Sequence, residues 1–261
     1  MINRILDVYA LLFSRPYFSV LNKLFFVVGA RGLGLLNYRS ETLSGEKWII
    51  DNFLRDGDVV LDVGANDGGY SKACLDKGCS VYAFEPHPAN YKNLVCIDGL
   101  RAYRVAVGSG EGKLELYDYK EKDGSVHASL YREVIEDIHD SESVSHVVDV
   151  IKIDEFCRVN DITKVDLLKI DVEGNEYAVL KGAMSMLESG SIRIIQFEFN
   201  EMNIKSRVFF DDFVKLLDGW NLYRMLPHGL LKLNGSSNFL CEQYAFQNII
   251  ALRKDDYYSL S

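Results

Sequence analysis

The sequence predicts an α/β protein with a mainly parallel sheet covered by helices on both faces, and three observations predict it. From about residue 45, short β-branched runs alternate with segments of helical length. The first such run ends in a glycine-rich turn, VVLDVGANDGGYS, that leads into a helix. The last two runs lie close together in sequence, which implies an antiparallel edge. Composition agrees: 48% hydrophobic and 26% charged residues among 261 supply enough apolar side chain to offset chain entropy, so disorder is excluded as the main state.

Residues 1–43 read as a helical, apolar and basic N-terminal extension. Over residues 1–34, Arg4, Arg15, Lys23 and Arg31 against Asp7 give a net +3, which leaves −12 for the remainder of a chain whose total is −9. Two apolar runs occur here, at 8–13 and 17–30. The first is too short to cross a bilayer, and Ser19, Asn22 and Lys23 interrupt the second. Arg15-Pro16 breaks the single clean run that a signal peptide needs. Two readings stay open. One is a helix pair packed on the main domain or on a second copy in a homo-oligomer. The other is an interfacial segment resting on an anionic membrane. The expected setting is cytoplasmic, with peripheral contact at the inner membrane face through residues 1–34.

The main domain is expected over residues 44–261. Strands are predicted at 58–63, 80–85, 100–107, 165–172 and 192–199, with helices at 70–77, 88–97, 173–188 and 207–217. Residues 113–119 and 145–153 both alternate apolar and polar side chains and read as an antiparallel hairpin with a long excursion. Closing strands follow at 221–226 and 244–252. The excursion, residues 120–146, carries seven acidic and three basic residues with three histidines, and is expected to form a partly helical, mobile, lid-like insertion. Trp220, Leu222 and Met225 fit a core or interface stripe. Five cysteines with no C-x-x-C pair suit packed thiols in a reducing compartment.

The acidic balance argues against nucleic acid as a partner, because a phosphate backbone demands clustered Lys and Arg. A single nucleotide remains compatible. Asp62, Gly64, Asn66 and Gly68 recur at every second position just after a strand, and the next strand ends in Glu85, one βαβ unit later. A carboxylate so placed can accept both hydroxyls of a ribose. The loop lacks G-x-G-x-x-G and is not followed by Lys-Ser/Thr, so the dinucleotide fingerprint and the P-loop are both missing. Asp62 and Asp67 would repel pyrophosphate yet welcome a sulfonium and an ammonium, which favours S-adenosylmethionine.

LDVGANDGGYS with FEPHP, then VDLLKIDVEGNEYAVLKGA followed by IIQFEFNE, resembles the FkbM family of S-adenosylmethionine-dependent methyltransferases. The resemblance covers roughly residues 44–252. It implies a class I methyltransferase (Rossmann-like) fold: seven strands in the order 3-2-1-4-5-7-6, mostly parallel, with strand 7 antiparallel. It also implies methyl transfer to a hydroxyl, most often on a sugar of a glycan or glycolipid precursor. By position, Asp62, Gly64, Asn66 and Gly68 would form the cofactor loop and Glu85 would hold the ribose. Asp67 and the His87 between Pro86 and Pro88 depart from the family pattern.

Methyl transfer to an unactivated hydroxyl calls for alignment and a base. Ligands in open α/β sheets sit at the carboxyl ends of strands, which singles out Asp171, Glu173 and Glu198 as hydroxyl contacts and base. These three oxygen ligands could also hold a divalent cation, but none is expected, because no histidine lies at ligand spacing beside them. His127, in the insertion, is a further candidate for base or sugar contact, and Tyr70 and Asn200 for lining the cofactor and acceptor pocket. The rival reading from another class is a non-catalytic, nucleotide-binding subunit of a polysaccharide assembly complex.

Overall fold

Two-residue periodicity divides the apolar side chains of the central strands between two faces, and each face recruits its own helices. The computed structural model describes residues 2–121, 124–125, 128–233 and 240–254. The chain opens with helices α1 (Ile2–Phe13), α2 (Ser19–Gly32), α3 (Glu41–Ser44) and α4 (Glu46–Phe53). Strand β1 (Val59–Val63), α5 (Gly69–Asp76), β2 (Ser80–Phe84), α6 (Pro88–Leu94) and β3 (Arg101–Tyr103) follow. Next come β4 (Ala106–Val107), β5 (Gly112–Tyr119), β6 (Ser143–Ile151), α7 (Ile153–Val159) and β7 (Val165–Ile170). The chain continues through α8 (Glu176–Lys181), α9 (Met184–Glu188), β8 (Ile192–Phe199), α10 (Met202–Ser206) and α11 (Phe210–Leu216). It closes with β9 (Trp220–Leu226), β10 (Gly229–Lys232) and β11 (Gln247–Arg253).

The main sheet runs β3-β2-β1-β7-β8-β11-β9-β10. Strand β11 is antiparallel to both β8 and β9, so the seven expected strands stand in the expected order. One strand was not foreseen: β10 pairs antiparallel with β9 and extends the edge. The run expected as one strand over 100–107 divides at Arg104-Val105. Its first half, β3, joins the main sheet, and its second half, β4, joins a small second sheet with β6 and β5. The predicted hairpin is present there, with Lys113 opposite Asp149 and Tyr119 opposite Ser143. The helix expected over 173–188 starts at Glu176 and breaks at Gly182. A Cβ on Gly182 would sit 2.1 Å from the Gly108 carbonyl oxygen, so only glycine lets the helical layer approach the second sheet this closely.

On one face, Leu61, Val63, Leu168, Ile170, Ile195 and Phe197 pack against α7, α8, α9 and α11. On the other, Val60, Val81, Leu167 and Ile194 pack against Ile49, Phe53 and Cys74 of α4 and α5. Trp220 and Leu222 belong to the first face and Met225 to the second, and all three are buried. Cys74, Cys79, Cys157 and Cys241 are buried free thiols, while Cys96 is exposed.

The extension does not pack on this core. No residue of α1 is buried, and in α2 Ala30 alone is. It is tied down just beyond α2. The fully buried Arg224 of β9 donates to the Leu33 carbonyl (3.2 Å), to Gln247 Oε1 (2.8 Å) and to the Leu240 carbonyl. Leu36 N donates to the Phe246 carbonyl at 2.9 Å. Truncating Arg224 strands the buried Gln247 acceptor and removes the donor of the half-buried Leu33 and Leu240 carbonyls. We expect Arg224→Ala to lower unfolding free energy by about 2–4 kcal/mol, measured by denaturant titration, and to sensitise the link at residues 33–36 to limited proteolysis. Unchanged stability would show that the guanidinium contributes nothing there.

Candidate active site

Strand register sets the site. Asp62 of β1, Lys169 of β7 and Gln196 of β8 are direct neighbours across three strands, and all face α4 and α5. Lys169 is only 5% exposed. Its ammonium lies 3.3 Å from Asp62 Oδ1 and 3.2 Å from Asp171 Oδ2, and donates to the Gly64 carbonyl at 3.3 Å. Burial pulls its pKa down, but Asp171, Asp62 and Glu46 outweigh burial and hold it above the ordinary lysine range. The Ser71 hydroxyl donates to Asp62 Oδ2 at 2.6 Å. The Tyr70 hydroxyl donates to Gln196 Oε1 at 2.9 Å, and Gln196 Nε2 donates to Glu46 Oε1 at 3.4 Å. Burial raises the Glu46 carboxyl above its usual range, the Lys169 charge opposing.

One step further along each strand the chain leaves the sheet, and a cleft opens there. Gly64, Asn66 and Glu85 line it on one side and Asp171, Glu173 and Asn175 on the other. Gly64 has φ +80°, and a Cβ there would fall 1.7 Å from the Asp171 carbonyl oxygen, so the two loops can meet only through glycine. Glu85 is 5% exposed, and its two oxygens accept from Asn66 N (2.9 Å) and His87 N (2.7 Å). Burial lifts its carboxyl to about 7, the two backbone N–H groups and Lys169 pulling the other way. Each oxygen keeps a lone pair, so this fixed carboxylate can still accept from a ribose. Gly68 caps α5 with φ +85° behind the loop.

The structure therefore brings Gly64, Asn66, Glu85, Asp171 and Glu173 to one cleft and sets others apart. Asp62 is fully buried behind the loop, paired to Lys169 and Ser71. Tyr70 points into the core on Gln196, with its ring 5.4 Å from the Lys169 ammonium, so it does not reach the cleft lining. Glu198 and Asn200 lie next to it without lining it, and Asn200 Nδ2 donates to Glu198 Oε1. Burial drives the Glu198 carboxyl well above the usual range, and the charges of Asp171, Glu173 and Glu176 push the same way. His127 lies outside the described residues. Among those residues no group of three or more His, Cys, Asp or Glu is placed to hold a metal ion.

The insertion contributes Ser125, Ala128 and Leu130 to the cleft. Ser129 bridges to Tyr117 and donates its hydroxyl to the Glu173 carbonyl at 2.7 Å. A π-helical turn, Val134–Ile138, buries Val134 and Ile135 against Met202. At its base the fully buried Asp118 accepts from Gly124 N (2.7 Å) and Ser125 N (2.8 Å) and faces His87 Nε2 at 3.6 Å. His87 Nδ1 accepts from Ala89 N at 3.2 Å. The residue that looked like an interruption between two prolines is the joint between the cofactor-side loop and the insertion.

Sequence reasoning missed Lys169, Gln196, Glu46 and Glu176. The buried Glu176 accepts from Val172 N (3.2 Å) and Gly174 N (3.0 Å), and so shapes the turn that presents Glu173, whose φ is +52°. Burial raises its carboxyl to about 7. A lysine within the buried strand run VDLLKI, which also carries Asp166, was the available signal for Lys169. Glu46, far away in sequence, had none.

The sequence matches the Methyltransferase FkbM domain over residues 62–224, and the chain belongs to that family. It is 29% identical over 170 residues to the hexuronic acid methyltransferase AglP of Haloferax volcanii, covering 61% of this chain and 65% of that one, just under two thirds of that relative's length. It is 25% identical over 211 residues to the 2-O-methyltransferase NoeI of Sinorhizobium fredii, covering 73% and 84%. A TehB-like SAM-dependent methyltransferase from Corynebacterium glutamicum is similar in structure with a TM-score of 0.43 and 14% identity, over 89% of this chain and 97% of that one.

Two outcomes are expected from this geometry. Lys169→Met leaves the fully buried Asp62 without its cation and should cost about 3–5 kcal/mol. Adding Asp62→Asn should return part of that loss in a double-mutant cycle, whereas strictly additive losses would show no coupling. Glu85 takes up a proton as pH falls through about 7, losing an acceptor site. Calorimetric affinity for S-adenosylmethionine should therefore fall from pH 8 to pH 6 in the native chain. It should be weaker by about tenfold or more, and flat with pH, in Glu85→Gln.

Proposed function

We propose that this chain transfers a methyl group from S-adenosylmethionine to a sugar hydroxyl of a glycan or glycolipid precursor. The observation that carries the reading is that Glu85, the ribose candidate, and Asp171 with Glu173, the acceptor-side carboxylates, open on one cleft. The residues fit the cofactor chemically: a fixed carboxylate acceptor, a glycine turn, and acidic surroundings suited to a sulfonium and an ammonium. When bound, S-adenosylmethionine supplies an electrophilic methyl group with a neutral thioether as leaving group. The named activities of AglP and NoeI, on a hexuronic acid and at a 2-O position, support a sugar acceptor.

The chain's own residues then divide the work. Gly64, Asn66 and Glu85 would seat the nucleoside. Asp171 would accept the hydroxyl proton as the acceptor oxygen attacks, and its carboxylate is held in place by Lys169 at 3.2 Å. Glu173 would hydrogen-bond a neighbouring hydroxyl. Apolar wall residues such as Val105, Leu116 and Leu130 suit the C–H face of a sugar ring and exclude water.

The test is transfer of a labelled methyl group from S-adenosylmethionine to lipid-linked and nucleotide sugars. Asp171→Asn should reduce turnover by about 10²–10⁴-fold while leaving cofactor affinity unchanged by calorimetry. Full turnover in Asp171→Asn would remove Asp171 from the role of base. Cofactor binding with no transfer to any sugar would favour the non-catalytic subunit.

A further inference from the structure

Among the described residues, most apolar side chains of residues 2–32 are left uncovered. Leu11 and Val20 are each 78% exposed and Phe26 is 66% exposed, in a protein whose other apolar residues are largely packed. An apolar surface this continuous marks an interaction site. The bend between the helices is built in. Tyr9 stacks on Phe13 at 5.0 Å, Phe13 meets Phe18 at 4.9 Å, and Asn22 Nδ2 donates to the Phe13 carbonyl at 2.9 Å. The two helices meet at 109°, and neither is long and apolar enough to cross a bilayer. At 12 and 14 residues they would span roughly 18 and 21 Å, short of the roughly 30 Å hydrocarbon core.

Charge selects the occupant. The arm carries net +3 while the rest of the chain carries −12. Pairing arm to arm across a two-fold axis would set +3 against +3. An anionic lipid surface complements the arm and repels the remainder, which orients the molecule. The root of the arm matters as well. Leu36 bonds to Phe246, next to Gln247, and Gln247 pairs with Phe199 at the carboxyl end of β8. The arm thus leaves from the end of the sheet at which the cleft opens.

We propose that α1 and α2 lie as a bent pair in the headgroup region of an anionic membrane and hold the cleft end of the sheet beside the lipid surface. The docking goes beyond the methyl-transfer reading and stands without it. An acceptor carried on a lipid would then reach the cleft from the surface that holds the arm.

Flotation of the full chain with phosphatidylcholine vesicles, with and without phosphatidylglycerol, tests this at low and high salt. Partitioning should be about 10–100-fold stronger on anionic vesicles and should weaken with salt. Leu11→Asp with Phe26→Asp should abolish flotation, and Arg4→Glu with Lys23→Glu should erase the anionic preference. Affinity for S-adenosylmethionine, measured on the same samples, should stay unchanged in both variants, which separates a failed arm from a failed cofactor site. No flotation, or equal binding to neutral vesicles, overturns the proposal. A stable dimer that Leu11→Asp with Phe26→Asp dissolves, without vesicle binding, overturns it in favour of a second copy.

Discussion

A buried ammonium organises this molecule. Lys169 occupies the centre of a polar row running across β1, β7 and β8, with Asp62 on one side and Gln196 on the other. Taking one charge out of water is costly, and taking several carboxylates out together is worse unless a cation lies among them. Lys169 supplies that cation for the fully buried Asp62, also pairs with the partly exposed Asp171, and donates to the Gly64 carbonyl. One side chain therefore links the glycine turn to the strand end that carries Asp171, beside the direct bond from Asp171 N to the Val63 carbonyl.

The second sheet extends this attachment outward. Asp118 at the end of β5 collects two backbone donors of the insertion and faces His87, while the backbone N–H of His87 serves Glu85. The insertion is also fixed by Ser129 to the carbonyl of Glu173. Both walls of the cleft thus reach the insertion by a buried polar contact, one through His87 and the other through Glu173. A shift of the insertion would be felt at Glu85 and at Glu173 alike.

The strand-helix alternation and the hairpin of the second sheet were legible because each rests on local periodicity, whereas the order of the seven central strands came only from the resemblance to the FkbM family. The glycine loop and Glu85 were legible because a tight turn and a strand-end acid leave a mark at fixed spacing. Asp62 and Tyr70 were misplaced for one reason. Spacing reports which face of an element a residue occupies, not whether that face turns to the cleft or to the helical layer, and both turn to the layer. The split of residues 100–107 depends on β6, a partner distant in sequence that no local pattern encodes, whereas β10 is a local hairpin with β9 across Pro227-His228 whose four-residue run was too short to stand out.

The same distant partners bear on which carboxylate can act. Asp171, Glu173, Glu176 and Glu198 converge at the ends of β7 and β8, and four like charges so close cannot all persist. Burial raises the Glu198 carboxyl well above the usual carboxylate range, and its three neighbours push the same way, so it favours the protonated form more than an ordinary carboxylate does. Asp171 and Glu173 line the cleft and Glu198 does not. On the proposed reaction, Asp171 meets the acceptor and Glu198 stands behind it. That division follows from which strand end carries the buried carboxyl and which carries the one that Lys169 can reach.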